Sequence, residues 1–351
     1  MTCPAPLVIA DQGHFWVGVR RRVANHGTVP TGHMFVQYQI PDRRRPFPVV
    51  MVHGGGGQGL DFLGTPDGRS GWATYFLRHG FAVYVVDRPG HGRARGGTAD
   101  FAISEPPTYE SLADVVFGNE EPKVQAPHTQ WPGPLTAASD LIDQFCAGQG
   151  PCAVDAAAAE REIQSGGIEL LDRIGPAILL THSLGAPFGW LLADALPGMV
   201  KAIVAIEPAG PPFGALGPGL GKLQWGVTTG PLEFDPPARA PENFQLEIRP
   251  GLRDGLTSCL VQVDPPLQLA NLRGLPVLVV TAEASPASRI DHGTVDFLQQ
   301  AGVAAEHMRL EEIGIRGNGH LMMLERNSDE IAGRLIAWLT RTLSFANEIS
   351  P

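Results

Sequence analysis

The stretch Pro176-Ala-Ile-Leu-Leu-Thr-His-Ser-Leu-Gly-Ala-Pro187 decides the fold. Residues Ala177 to Thr181 are strand-like and apolar, His182-Ser183-Leu184-Gly185 breaks the run, and Ala186 to Leu196 carries apolar residues at helical spacing. A serine at such a junction sits on a sharp strand-to-helix turn. The strained dihedrals there demand small neighbours and push the side chain out above the sheet. The pattern is G-x-S-x-G with Thr181 in place of the first glycine. Taken alone, that departure leaves a serine that simply caps a buried helix as the competing reading.

Upstream, Val49-Val50-Met51-Val52 is a continuous apolar run of the kind a buried parallel strand carries, and it ends in His53-Gly54-Gly55-Gly56-Gly57-Gln58-Gly59. Consecutive glycines let the backbone approach a ligand and present unobstructed N–H groups. A phosphate loop would need Gly-Lys-Ser/Thr after its spacer, and a dinucleotide fingerprint would need a G-x-G-x-x-G followed by an acidic residue at the right distance. Neither is present, so an oxyanion loop fits better, with Gly55 or Gly56 as one donor and Leu184 as the other. Trp72 to His79 reads as a helix and Phe81 to Val86 as a further buried strand leading to Asp87-Arg88-Pro89-Gly90-His91-Gly92-Arg93. Residues 14–40 alternate as antiparallel edge strands, with Phe15, Val17, Val19, Met34, Val36, Tyr38 and Ile40 at period-two positions. Strand, glycine loop, helix and strand in that order predict a doubly wound, mostly parallel α/β sheet.

Downstream, Ala137 to Phe145 and Ala156 to Ile174 are helical, and Lys201 to Ile206 is a strand that delivers Glu207. Pro276 to Val280 is the next strand, ending in Thr281-Ala282-Glu283. A helix over Ile290 to Gln300, a last strand over Met308 to Ile313, the loop Gly317-Asn318-Gly319-His320 and a helix from Asn327 to Leu343 complete the pattern. Two stretches rich in Pro and Gly, 94–134 and 208–273, interrupt a single domain spanning 1–351 and read as lid or cap insertions. Trp131, Phe213 and Trp225 are weak candidates for lining a pocket beneath them.

A nucleophilic serine needs a base within hydrogen-bond reach and an acid to orient that base. Strand ends of a parallel sheet bring such groups together across long sequence distances. Among eleven histidines, His320 follows the last strand in a glycine-rich loop, whereas His91, His182 and His292 read as structural or peripheral. Two strand ends offer an acid, Glu207 and Glu283, and residue types alone leave both open.

Composition sets bounds. At 351 residues, 43% hydrophobic and 18% charged, the chain can bury a substantial core, and a net charge of −10 argues against nucleic acid or an anionic membrane as partner. The Arg20-Arg21-Arg22 and Arg43-Arg44-Arg45 clusters read as solvated turns. Of the four cysteines, Cys3, Cys146, Cys152 and Cys259, none sits in a metal-binding spacing. Cys146 and Cys152 could bridge across the loop between them or remain thiols. No apolar run reaches the length of a membrane span, and the patch from Ala5 to Ala10 is too short for a signal-peptide core, so a cytoplasmic location is expected. Nothing calls for a metal or another cofactor. The expected partner is a small-molecule ester, and a homodimer is left open.

The segments Gly13-His-Phe-Trp-Val-Gly, His26-Gly-Thr-Val, Tyr38-Gln-Ile-Pro, Pro66-Asp-Gly-Arg-Ser-Gly-Trp, Tyr75-Phe-Leu-Arg and Gly317-Asn-Gly-His-Leu-Met-Met carry a family resemblance. Together they resemble the bacterial α/β-hydrolase esterases that use a Ser-His-Glu triad, a broad group that includes sulfonylurea-type esterases. The resemblance spans most of the chain and is weakest in the insertions. It implies an α/β-hydrolase fold, no cofactor, and a glutamate acid on the strand after the nucleophile in a Val-x-x-Glu-Pro-Gly-like context. Val204-Ala205-Ile206-Glu207-Pro208 matches that context with Ala209 before the glycine, which favours Glu207 and leaves Glu283 as the alternative acid. The order Ser183, acid, His320 is that family's order as well. The implied activity is hydrolysis of carboxylic esters, and lactones with them, through an acyl-enzyme on Ser183. The alternative is a relative of the same fold that binds a small ligand or runs a lyase reaction with these residues in altered roles.

Overall fold

Eight strands make one twisted sheet: β1 (Ile9–Val17), β2 (Met34–Pro41), β3 (Val49–Val52), β4 (Val83–Asp87), β5 (Ala177–His182), β6 (Val200–Ile206), β7 (Pro276–Thr281) and β8 (Ala304–Arg309). The computed structural model describes residues 6–94, 102–112, 126–134, 139–217 and 220–344. Across the sheet the strands run β1-β2-β4-β3-β5-β6-β7-β8. β2 pairs antiparallel with β1 and with β4, and every later pairing is parallel. This is the α/β-hydrolase fold expected from the sequence. β2 is interior rather than an edge, because β4 flanks it on its other side.

Helices α1 (Trp72–Arg78), α2 (Asp140–Ala147), α3 (Ala156–Ile174), α4 (Ala186–Ala195), α5 (Asp291–Gln300) and α6 (Ser328–Thr342) cover both faces. Continuous apolar strands can serve two cores at once because successive side chains point to opposite faces. Val50, Val52, Leu179, Ile203 and Val279 pack with α3, α4 and α5. Val49, Met51, Leu180, Val204 and Val280 pack with α1, α2 and α6. α3 starts on an Asp155 cap that accepts from the Ala158 amide, and α2 starts on Ser139.

Two boundaries differ from expectation. The last strand is Ala304–Arg309 rather than 308–313, and residues 310–313 form a short 3₁₀ turn. Ala304-Ala305-Glu306 has no apolar run to mark a strand, while Leu310 and Ile313, which suggested one, sit in the turn. The start of the expected helix from Ala137 and much of the 94–134 insertion lie outside the described residues. The flanks of that insertion are tied down. Ser104 N–H donates to Cys152 O at 2.8 Å, and Thr129 and Gln130 N–H both donate to Gly317 O. The 208–273 stretch carries two short antiparallel pairs, Phe234–Asp235 with Gln268–Leu269 and Leu246–Arg249 with Cys259–Gln262. Cys146, Cys152 and Cys259 are free thiols, and Cys3 lies outside the described residues.

Candidate active site

β5 is buried along its whole length and ends at Ser183, whose φ of +50° puts a non-glycine residue in the left-handed region. Such strain persists only where the surroundings over-determine it. Here they do: a Cβ added at Gly185 would lie 2.3 Å from His53 O and 3.1 Å from Val52 O, so the elbow presses directly on the end of β3. Thr181 is accommodated because α4 crosses above it at Gly189, where even an added Cβ would stay 3.6 Å from the Thr181 methyl group.

Glu207, at the end of β6, also has positive φ, +42°, and is 1% exposed. Its Oε1 accepts from the Ala282 amide at 2.8 Å. Its Oε2 accepts from Ser285 Oγ at 2.5 Å and meets His320 Nδ1 at 2.6 Å. A backbone bond from Ala209 N–H to Ser183 O, 3.1 Å, ties the Glu207 loop to the elbow. The two glutamates offered by the sequence are thereby separated. Glu283 accepts from Gly317 N–H at 2.8 Å and pairs with Arg316 at 3.0 Å, so its carboxylate holds the loop that precedes His320 rather than the imidazole.

That loop is fixed at several points. Buried Glu325 accepts from Gly319 N–H at 2.8 Å and from Asn318 Nδ2 at 2.5 Å, and pairs with His128 at 2.7 Å. His320 O accepts from His182 Nε2 at 3.0 Å, and the two imidazoles lie 4.6 Å apart. Burial, then the neighbouring His320, holds His182 well below the ordinary histidine range, so it acts as a neutral donor. Ser183, Leu184, Glu207 and His320 line one cavity of about 310 Å³, otherwise walled by groups such as Pro208, Ala215, Leu216, Pro286 and Ile290.

The glycine loop reaches the elbow from the other side. An added Cβ at Gly54 would sit 3.0 Å from Ser183 Cβ, and one at Gly55 would sit 2.5 Å from Leu184 Cδ1. Gly56 has φ +69°, and its carbonyl accepts from Gly150 N–H at 2.7 Å. Behind the loop lie His53, Arg88 and His91, all buried. Burial and the Arg88 charge hold His53 well below the usual histidine range and His91 at about 3. Burial lowers Arg88 to about 10, which leaves it cationic near neutrality.

The three aromatic candidates are not in the cavity wall. Trp131 packs on Phe145 at 5.8 Å, Phe213 on Phe297 at 5.4 Å and Trp225 on Phe244 at 6.0 Å, all inside the cores. Sequence reading missed Ala282 and Ser285 as donors to the acid, His182 as the strut under His320, Arg88 behind the glycine loop, and Asp291. Asp291 is fully buried, and its Oδ2 accepts from Thr281 Oγ1 at 2.6 Å. Burial and the charge of Glu207 push its carboxyl well above the usual range. Of these residues, His182, Arg88 and Ala282 lay within stretches the sequence had singled out, and Ser285 and Asp291 did not. Among the described residues no three His, Cys, Asp or Glu side chains are grouped to hold a metal ion.

A serine on a strand-to-helix elbow, a strand-end glutamate bonded to a loop histidine, and this strand order define a hydrolase of the α/β class. Residues 49–334 match the alpha/beta hydrolase family, and the chain belongs to it. It is 39% identical over 314 residues to the probable secreted lipase phiG of Fungal sp. (strain ATCC 74256), covering 88% of this chain and 86% of that one. Among solved structures it is similar in fold to a bacterial esterase, at 24% identity and a TM-score of 0.68 over 97% of this chain and 99% of that one.

Proposed function

We propose that this chain, a carboxylic-ester hydrolase, works through an acyl-enzyme on Ser183. The observation that carries the reading is the 2.6 Å bond between His320 Nδ1 and the buried Glu207, at a cavity that Ser183 also lines. Ser183 Oγ attacks the ester carbonyl while His320 Nε2 takes its proton, and Glu207 orients the imidazole and stabilises its cationic form. The proton then passes to the leaving alkoxide. Water, deprotonated by the same imidazole, releases the acid. The oxyanion is met by the N–H groups of Leu184 and Gly55, with Gly56 next in line, at about 3 kcal/mol per donor. Placement in the Ser-His-Glu esterases rests on the same glutamate.

The cavity wall is apolar apart from the triad, and an uncharged acyl group suits it, since a charged one would lose hydration without gaining a partner. Lactones of similar size meet the same wall. The fungal relative is named as secreted, so the cytoplasmic expectation has no support, and enzyme activity in culture supernatant against lysate decides where the protein goes.

The test pairs intact-mass analysis after a fluorophosphonate with turnover of a short p-nitrophenyl ester. Expected are one adduct in wild type and none in Ser183→Ala, and a loss of roughly 10³-fold or more in kcat for Glu207→Gln. Glu283→Gln should stay within about tenfold of wild type. Unlabelled, inactive wild type would hand the site to ligand binding or a lyase reaction. Collapse with Glu283→Gln and not Glu207→Gln would move the acid.

A further inference from the structure

Arg88 is 7% exposed, and no carboxylate among the described residues pairs with it. Asp87, its neighbour in sequence, is taken up by Arg93 at 2.7 Å and by the Gly59 amide at 2.6 Å. Burying an unpaired guanidinium is costly, so its contacts should account for it. They are two backbone carbonyls and one imidazole: Nη2 donates to Gly54 O at 2.6 Å and, at 3.5 Å, meets His91 Nε2, and Nη1 donates to Leu184 O at 3.2 Å. The Arg88 amide also donates to His53 Nε2 at 3.1 Å. That bond makes Nε2 the acceptor, so Nδ1 carries the hydrogen and donates it to the same Gly54 O at 2.8 Å. The Gly54 carbonyl thus takes two donors, one of them charged.

A peptide unit is planar and trans, so the N–H of Gly55 points opposite to the C=O of Gly54. Holding that carbonyl toward Arg88 therefore aims the Gly55 N–H away from it. The other guanidinium nitrogen holds the Leu184 carbonyl, one peptide beyond the Leu184 N–H that is the second donor. From this geometry we infer that Arg88 is a positioning residue for the oxyanion hole, one buried fork holding from behind the carbonyl of the peptide that carries the Gly55 N–H and the carbonyl of Leu184. The clamp also acts electrostatically. A cation on the Gly54 carbonyl polarises that peptide and strengthens its N–H as a donor, and in a water-poor site its field favours negative charge developing on the far side. None of this is needed to bind a neutral ester. Its effect belongs to the transition state.

The inference rests on the acyl-enzyme reading, and the experiment keeps the two apart. Wild-type fluorophosphonate labelling at Ser183 reports on that reading alone, and the variants Arg88→Met and Arg88→Lys report on the clamp. Arg88→Met removes charge and fork, and Arg88→Lys keeps the charge but reaches only one carbonyl at a time. Expected are kcat losses of about 100-fold and about tenfold respectively, with KM within about twofold. Affinity for a trifluoromethyl ketone, which forms the oxyanion, should fall in step with kcat. Affinity for the product carboxylic acid should not change. If Arg88→Met fails to fold by thermal melt, Arg88→Lys carries the test. Arg88→Lys with wild-type kcat overturns the inference, and so does a folded variant that loses ketone and product affinity equally, because that is the behaviour of a strut and not of an oxyanion clamp.

Discussion

Among the described residues Glu207 receives three donors and no Lys or Arg partner: the Ala282 amide, Ser285 Oγ and His320 Nδ1. A buried carboxylate depends on such bonds, each to a charged group worth about 1.5–3 kcal/mol. Ser285→Ala removes the 2.5 Å bond while leaving Ser183, His320 and Glu207 in place. The expected result is a drop of about tenfold in kcat/KM with full fluorophosphonate labelling, read by steady-state kinetics and intact mass. Unchanged kcat/KM would show that the other two donors suffice. At this scale the sequence offered Ser183 and His320 through their flanking patterns and offered two glutamates for the acid. The choice between them lies in backbone direction: Glu207, at φ +42°, turns toward His320, while Glu283 accepts from the Gly317 amide. Ser285 was invisible because its role depends on how the residues after β7 fold back, and no residue pattern encodes that.

Among the elements, the elbow between β5 and α4 is held by direct backbone contact with the end of β3. Gly185 is not needed there for φ, which stays negative at −83°, but for space, because an added Cβ would lie 2.3 Å from the His53 carbonyl oxygen. The neighbour is backbone and has no rotamer to yield. Gly185→Ala should therefore force β3 and the elbow apart, destabilising by about 1–3 kcal/mol. Because His53 leads straight into the glycine loop, kcat should fall at least tenfold with it. Urea melts and ester turnover check both, and wild-type values in both would mean the two backbones can slide past each other. Strands such as β3, β5 and β7 were legible because burial on both faces requires uninterrupted apolar runs. β8 was legible only as an existence. Its alternating exposed and buried residues, starting Ala304-Ala305-Glu306, lack such a run, so the apolar residues of the next turn drew the boundary four residues too late. The insertions were the least legible part. Phe213 and Trp225 read as pocket aromatics because cap sequences have no fixed period, yet they descend into the core beside α5.

Across the whole molecule, the site has been built by burying histidines in their neutral form around one cation. His91 is 6% exposed, and burial, then Arg88, brings it to about 3. A histidine in the unfolded chain takes its proton near 6.5. Between those two values the unfolded state therefore holds a proton that the folded state does not, so stability rises with pH there. This contribution is fully present above about 6.5 and is lost as pH falls toward 3. His53 and His182 are displaced in the same direction and add to the acid limb. Buried acids such as Asp291, pushed upward, act with the opposite sign, so the total slope is a difference and only a single-site comparison isolates one histidine. His91→Asn supplies it. In urea unfolding at pH 4.5, 5.0, 5.5 and 6.0, the slope of unfolding free energy against pH should be smaller in the variant by about 1.4 kcal/mol per pH unit, one proton's worth. Parallel slopes would mean that His91 takes up its proton in the folded protein, and the buried neutral imidazole beside Arg88 would have to be abandoned.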